Sequence, residues 1–193
     1  MPTTGESESP ASDDLDLVRR VLSGDEQGYR LLMRKYERRV FAICYRITCN
    51  EGAAEDAAQD AFVRAYFALK KYDQTRPFLP WLTRIAVNRA LTAAARESTY
   101  QPLPEGFAET HAATDAAETS DAACASGQLE RAARDAVAAL PPKLRAVVTL
   151  RVFEEMSYDE IAQALKISIG TVMSRLSRGR ERLRGKLARF VSA

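Results

Sequence analysis

The sequence predicts an all-α protein: two small helical domains joined by a flexible acidic linker, the C-terminal one a helix-turn-helix. Three observations carry this expectation. Apolar residues recur at helical spacing on both sides of the middle of the chain, and no stretch alternates as a strand would. From residue 98 to 126 the periodicity stops, and every charged residue there is acidic. Near the C-terminus, two helical patterns, each opened by a serine, are separated by a three-residue turn.

Residues 1–14 are rich in Ser, Glu, Pro and Thr and are expected to be disordered. Met1 to Asp16 carries five acids and no base, unlike a secretory signal or a transit peptide. Helical periodicity starts near Leu15, and Asp25 after Ser23-Gly24 is the expected N-cap of the next helix. There Tyr29, Leu32, Met33, Tyr36, Val40, Ile43, Cys44 and Ile47 fall on one stripe. A further helix begins at Glu51, with Ala54, Ala57, Ala58, Ala61, Phe62, Ala65, Leu69 and Tyr72 inward; its small residues permit close helix approach. The polar loop Asp73-Gln74-Thr75-Arg76 ends at Pro77, and a third helix runs to Glu97, buried through Phe78, Leu82, Ile85 and Ala86. These elements make one domain, residues 15–97.

The linker, residues 98–126, opens on Gln101-Pro102-Leu103-Pro104. Lacking apolar periodicity, it buries little, so the two domains are expected to behave as independent units. The second domain spans 127–193. It starts with a helix whose apolar face is Leu129, Ala132, Ala133, Ala136, Val137 and Leu140. Pro141-Pro142 breaks that helix and starts another through Leu144, Val147, Val148 and Leu150.

Composition narrows the function classes. The chain has 193 residues, 28 bases, 26 acids and a net charge of +2, which suits one medium or two small globular domains. No apolar run approaches the roughly 20 residues that span a bilayer. One histidine (His111) and three scattered cysteines (Cys44, Cys49 and Cys124) exclude a multi-histidine metal site, a zinc cluster and a disulfide scaffold. Cys44 reads as core, and five-residue spacing on a helix points Cys44 and Cys49 apart. Glu51, Glu55, Asp56 and Asp60 all lie on one helix, whereas a Mg²⁺ site needs carboxylates converging from two. The sequence therefore points to no catalytic residues, no metal, no cofactor and no small-molecule substrate. The charge is segregated: residues 97–130 hold seven acids and no base, while residues 166–193 hold eight bases and one acid. A polyanion partner at the C-terminal end fits that asymmetry, as does a solvated basic tail.

The strongest motif is Ser157 to Leu176. Ser157 and Glu160 have capping-box spacing, Ile161 and Leu165 face inward, Ala162 is small at a helix crossing, and Ser168 opens the second helix. There Val172, Leu176 and Leu183 point to the core, with Gly179 between them. The other face carries Thr171, Ser174, Arg175, Arg178 and Arg182, hydroxyls and guanidinium groups suited to base edges and phosphates. This is the pattern of a DNA-reading helix-turn-helix.

The segment from Leu140 to Leu187, with Gly170-Thr171-Val172-Met173-Ser174-Arg175-Leu176-Ser177-Arg178-Gly179-Arg180 as its core, resembles the promoter-reading C-terminal domain of bacterial sigma factors. Ala54-Glu55-Asp56-Ala57-Ala58-Gln59-Asp60-Ala61-Phe62 and Phe78-Leu79-Pro80-Trp81-Leu82-Thr83-Arg84-Ile85-Ala86-Val87-Asn88-Arg89 resemble the core domain of the extracytoplasmic-function (ECF) class. The resemblance covers all but the first dozen residues and the linker. It implies an alternative sigma factor that binds core RNA polymerase, directs it to promoters and helps melt the minus-ten region.

Residue by residue, the resemblance implies that Glu55, Asp56, Gln59 and Asp60 grip the coiled coil of the largest polymerase subunit; on their own they also read as a solvated acidic face. It implies minus-ten DNA contacts from Asp73, Gln74, Thr75, Arg76, Trp81, Arg84, Asn88 and Arg96. On its own Trp81 reads first as core edge, and Asn88 reads equally as a cap or brace for the loop. It implies minus-thirty-five contacts from Thr171, Met173, Ser174, Arg175, Ser177, Arg178 and Arg182. Where the family carries more bases and an Asp, this chain reads Thr92-Ala93-Ala94-Ala95-Arg96, which implies a weaker phosphate grip or an unusual element. The linker reads either as a tether or, by resemblance, as an occupant of the RNA-exit path. An anti-sigma factor, often membrane-bound in this class, and a cytoplasmic location are also implied. The competing reading is a helix-turn-helix regulator that is not a polymerase subunit.

Overall fold

A computed structural model describes residues 10–100 and 121–191. All regular structure among the described residues is helical. The N-terminal half holds α1 (Pro10–Leu22), α2 (Glu26–Thr48), α3 (Glu51–Ala68), a short 3₁₀ turn (Leu69–Lys71) and α4 (Phe78–Tyr100). The C-terminal half holds α5 (Asp121–Ala138), α6 (Pro142–Val152), α7 (Tyr158–Leu165) and α8 (Ile169–Val191).

Local chemistry sets the boundaries. The Asp25 carboxylate accepts from the Gln27 amide at 2.9 Å to open α2, and Asn50 accepts from Ala53 at 2.9 Å to open α3. Between them Cys49 closes α2 in the left-handed region, at φ 58°. Pro141 and Pro142 stop α5 and start α6, where a missing amide costs nothing. The alanine face of α3 is buried throughout, at Ala54, Ala57, Ala58, Ala61 and Ala65, so α3 lies close on α2 and α4. On α2 the expected stripe is buried except Met33, which is exposed.

The structure corrects the sequence reading in three places. Helix α1 begins at Pro10 rather than near Leu15, so residues 10–14, expected to be disordered, are helical. It is held by long-range bonds: buried Asp14 accepts from the Tyr36 hydroxyl and from Lys35 Nζ at 2.7 Å, and Asp13 accepts from Lys35 at 3.0 Å. Helices α4 and α5 run into the expected linker from both sides, covering 98–100 and 121–126; residues 1–9 and 101–120 lie outside the described residues. Finally, the halves are not independent. Helices α2 and α4 pack on α6 and α7, and buried apolar residues of both halves form one continuous cluster.

Candidate nucleic-acid interface

Burying the alanine face of α3 turns Glu55, Asp56 and Gln59 outward together, all exposed. Asp60 does not join them. It accepts from Arg64 Nε at 2.9 Å and lies 3.4 Å from Arg89 of α4. Burial works to raise the Asp60 pKa, but Arg64 and Arg89 outweigh it and hold the carboxyl below the usual range. The exposed line continues through Val63 and Phe67, 54% and 77% exposed. The sequence reading missed both. Their signal is present, since they are large apolar residues on the side of an alanine-faced helix that points away from the core.

The loop before α4 is internally braced. Asp73 accepts from the Thr75 amide at 3.0 Å and hydroxyl at 2.7 Å, and Arg76 pairs with it at 3.4 Å. The Thr75 bonds, helped by Arg76, hold the Asp73 carboxyl below its usual range. The Tyr72 hydroxyl donates to the Arg76 carbonyl, closing the loop at its base. That base is aromatic: Trp81 packs on Tyr72 at 5.0 Å and on Phe78 at 5.5 Å between ring centroids, half-buried. Gln74 and Arg76 stay exposed.

Along α4, Arg84 and Arg96 are exposed while Asn88 and Thr92 are half-buried. Asn88 does not brace the loop. Its side-chain amide donates to the Arg84 carbonyl at 2.6 Å and to the Ala164 carbonyl of α7, in the other half, at 3.1 Å. Beside it lies an open groove of about 680 Å³ lined by Arg64, Phe67, Lys71, Arg84, Asn88 and Lys166. Lys166 is the left-handed C-cap of α7, at φ 53°.

The helix-turn-helix is built as its caps require. Ser157 Oγ accepts from the Glu160 amide at 3.2 Å, and Glu160 accepts from the Ser157 amide at 2.7 Å. Those two Ser157 groups, amide first, hold the Glu160 carboxyl below its usual range. Ser168 Oγ accepts from the Thr171 amide at 3.1 Å and shares a bond with the Thr171 hydroxyl at 2.8 Å, so Thr171 serves the helix start. Val172 and Leu176 are buried, and Gly179 allows α8 to cross α6, since a Cβ there would sit 2.9 Å from Val148. The outward face presents Met173 (54% exposed), Ser174, Ser177, Arg178 and Arg182, with Arg175 half-buried. Neither Arg178 nor Arg182 has an ion-pair partner among the described residues. No group of acids, histidines and cysteines among them could hold a metal ion, and none of their helices is long and apolar enough to cross a membrane.

Two protein families match separate parts of the chain. Residues 32–99 match the family described as sigma-70 region 2, and residues 130–183 match sigma-70 region 4. The chain is 35% identical to the RNA polymerase sigma-H factor of Pseudomonas aeruginosa, covering 87% of this chain and 90% of that protein. It is 33% identical to the ECF RNA polymerase sigma factor SigW of Bacillus subtilis, covering 88% and 94%. Among solved structures, it resembles CnrH, solved in complex with the cytosolic domain of CnrY, at TM-score 0.62 and 24% identity over 91% of this chain and 97% of that one. It also resembles the sigma factor RpoE of Bartonella quintana, solved with the anti-sigma factor NepR, at TM-score 0.60 and 20% identity over 83% and 96%.

Proposed function

The chain belongs to the ECF class of RNA polymerase sigma factors, and from that premise we propose how its surfaces share the work of initiation. As an alternative sigma factor it directs RNA polymerase to promoters and performs no catalysis; its partners are core polymerase and promoter DNA.

Glu55, Asp56 and Gln59 contact core polymerase at the coiled coil of its largest subunit, with Asp60 held behind them by Arg64 and Arg89. Val63 and Phe67 extend that contact with apolar area. Loop residues Asp73 to Arg76 and the Trp81 platform receive bases of the melted minus-ten strand, because an unpaired base gains by stacking on an aromatic face and a flipped base needs a polar pocket. Arg84, Asn88 and Arg96 follow the strand along α4. Met173, Ser174, Arg175, Ser177, Arg178 and Arg182 face the major groove at the minus-thirty-five element, where guanidinium groups read guanine and hold phosphates. Thr171 contributes by fixing the start of that helix. A cytoplasmic location and an anti-sigma partner belong to the same reading.

The observation that carries it is the geometry of α3: complete burial of its alanine face leaves the acidic row presented to solvent. The clean test is Glu55→Arg with Asp56→Arg, which leaves the Asp60 ion pairs intact. Loss of co-purification with core polymerase at wild-type helix content is expected. Unchanged co-purification would overturn the assignment.

A further inference from the structure

Helix α1 carries a buried carboxylate besides the apolar residues that dock it. Leu17 and Val18 of α1 lie in the apolar core, and the helix packs along α2. Asp14 is only 5% exposed, and a charge is costly to bury unless it is paired and hydrogen-bonded. Two neighbours on α2 supply those bonds: Lys35 Nζ donates to Oδ1 at 2.7 Å, and the Tyr36 hydroxyl donates to Oδ2. Lys35 is exposed and also holds Asp13. Tyr36 is buried. Held at Cα by the helix and at its hydroxyl by Asp14, the Tyr36 ring can turn only about its own axis.

From that ring the contacts lead to the loop before α4. Tyr36 packs on Phe78 at 5.8 Å between centroids. Phe78, buried at the start of α4, packs on Trp81 at 5.5 Å and meets Tyr72 edge-to-face at 5.6 Å. Tyr72 packs on Trp81 in turn, and its hydroxyl donates to the Arg76 carbonyl at the end of the loop. Aromatic pairs have preferred geometries, so the tilt of one ring constrains the next. The Asp14 charge reaches across this set: burial first, then Asp14 and Asp73, push the Tyr72 phenol above its ordinary pKa. Helix α1 also touches α4 and the 3₁₀ turn that Tyr72 closes.

We propose that Asp14 is a positioning residue for promoter melting: by pinning the Tyr36 hydroxyl it sets the tilt of Phe78, and through it the pose of the Trp81 face and of loop residues Asp73 to Arg76. The role in melting rests on the assignment of that loop and Trp81 to the unpaired minus-ten strand; the link from Asp14 to Trp81 does not. Asp14 itself is buried away from DNA and acts through Tyr36. A hydrogen bond suits the task because it is directional, whereas apolar packing alone leaves a ring free to shift within its pocket.

The test uses the full-length chain with Asp14→Ala, Asp14→Asn and Tyr36→Phe. Trp81 is the only tryptophan in the sequence, so its emission and its quenching by acrylamide report on this site alone. The DNA probe is a fork with an unpaired minus-ten strand, built on a promoter found by run-off transcription and bound by the assembled polymerase. Asp14→Ala and Tyr36→Phe are each expected to shift Trp81 emission and raise its quenching. Both should weaken fork binding roughly three- to tenfold, since apparent affinity falls with the population of the competent state. Asp14→Asn still accepts from the Tyr36 hydroxyl and should restore most of both values. Tyr36→Phe keeps the Lys35 ion pairs, so it reports even where Asp14→Ala loosens α1. Helix content and binding to a minus-thirty-five duplex should stay at wild-type values. Unchanged Trp81 emission in Tyr36→Phe overturns the proposal, and so does shifted emission with unchanged fork binding. Equal loss on the minus-thirty-five duplex marks general destabilisation and overturns it too. A wild-type polymerase complex that ignores the unpaired strand overturns the minus-ten assignment and the role in melting with it, while Trp81 emission in the variants still decides the link to Asp14, so the two failures are distinguishable.

Discussion

Helices α4 and α8 are both 23 residues long, and both are assigned to promoter DNA, yet they hold their polar faces differently. On α8 the arginines at 178 and 182 stand exposed, with no ion-pair partner among the described residues, above buried Val172 and Leu176. On α4 the corresponding stripe is partly spent inside the molecule: Asn88 on two carbonyls, Thr92 on the Asn88 carbonyl, Arg89 on Asp60. A duplex reader can be preformed, because the major groove of B-DNA already presents its base edges. A reader of melted DNA meets its ligand only after strand separation, and its polar groups find partners in the meantime.

The comparison is most forcefully broken by taking away the support under α8. Ile161 is fully buried on α7, which packs on α8, so Ile161→Ala is expected to cost about 2–5 kcal/mol. In chemical denaturation the C-terminal half should melt earlier while α1–α4 keep their transition. A single shared transition would mean that the apolar cluster joining the halves makes them one cooperative unit.

Arg178→Ala is next in size. It is expected to lose roughly 1–3 kcal/mol on the cognate minus-thirty-five element and much less on scrambled DNA, measured in the assembled polymerase. Equal loss on both sequences would make Arg178 a phosphate contact.

Ser157→Ala removes one half of the capping box and should lower stability by about 1 kcal/mol. Its pH dependence has a definite sign. The folded Glu160 pKa is depressed by Ser157, so the stabilisation is present above the unfolded glutamate value of about 4.3 and is lost as pH falls through the lower folded value. The gap between wild type and variant should therefore narrow on acidification, as followed by thermal melts from neutral pH downward. A gap constant with pH would mean that the Ser157 hydroxyl adds nothing to the lowered Glu160 pKa and that the amide alone holds it down.

The smallest expected change is Met173→Arg. An unbranched apolar side chain there can touch a thymine methyl but cannot hold a phosphate. An arginine should add about one phosphate contact to the salt dependence on cognate and scrambled DNA alike. An unchanged salt slope would place residue 173 away from the backbone.

What was legible in the chain follows the range of the interactions involved. Caps are local, so Asp25, Ser157 with Glu160, and Ser168 are readable as written, and so is the Pro141-Pro142 break. The alanine face of α3 is readable because burial repeats at helical spacing. Features that depend on distant partners were not. Helix α1 starts early because Asp13 and Asp14 meet Lys35 and Tyr36 on α2. Helix α5 starts at Asp121, ahead of Gly127, which marked the expected boundary. The seam between the halves escaped entirely. Its contacts are an ion pair 115 residues apart, an amide on a carbonyl 76 residues away and a guanidinium on a thiol 96 residues away, none of which leaves an apolar period. At the candidate site, the acidic row, the loop and the basic face were named in advance. The commitments of Asp60 to Arg89 and of Asn88 to the Ala164 carbonyl were not, because those partners lie on other helices.

The most direct test of two reading surfaces that act separately is promoter dependence in reconstituted polymerase. Run-off transcription of genomic DNA with core polymerase and this chain identifies promoters, and each element of one such promoter is then scrambled in turn. With wild-type protein, scrambling either element should abolish transcription. With Arg178→Ala, sensitivity to the upstream element should fall sharply while sensitivity to the downstream element stays intact. Loss of both sensitivities together, or of neither, would contradict the account.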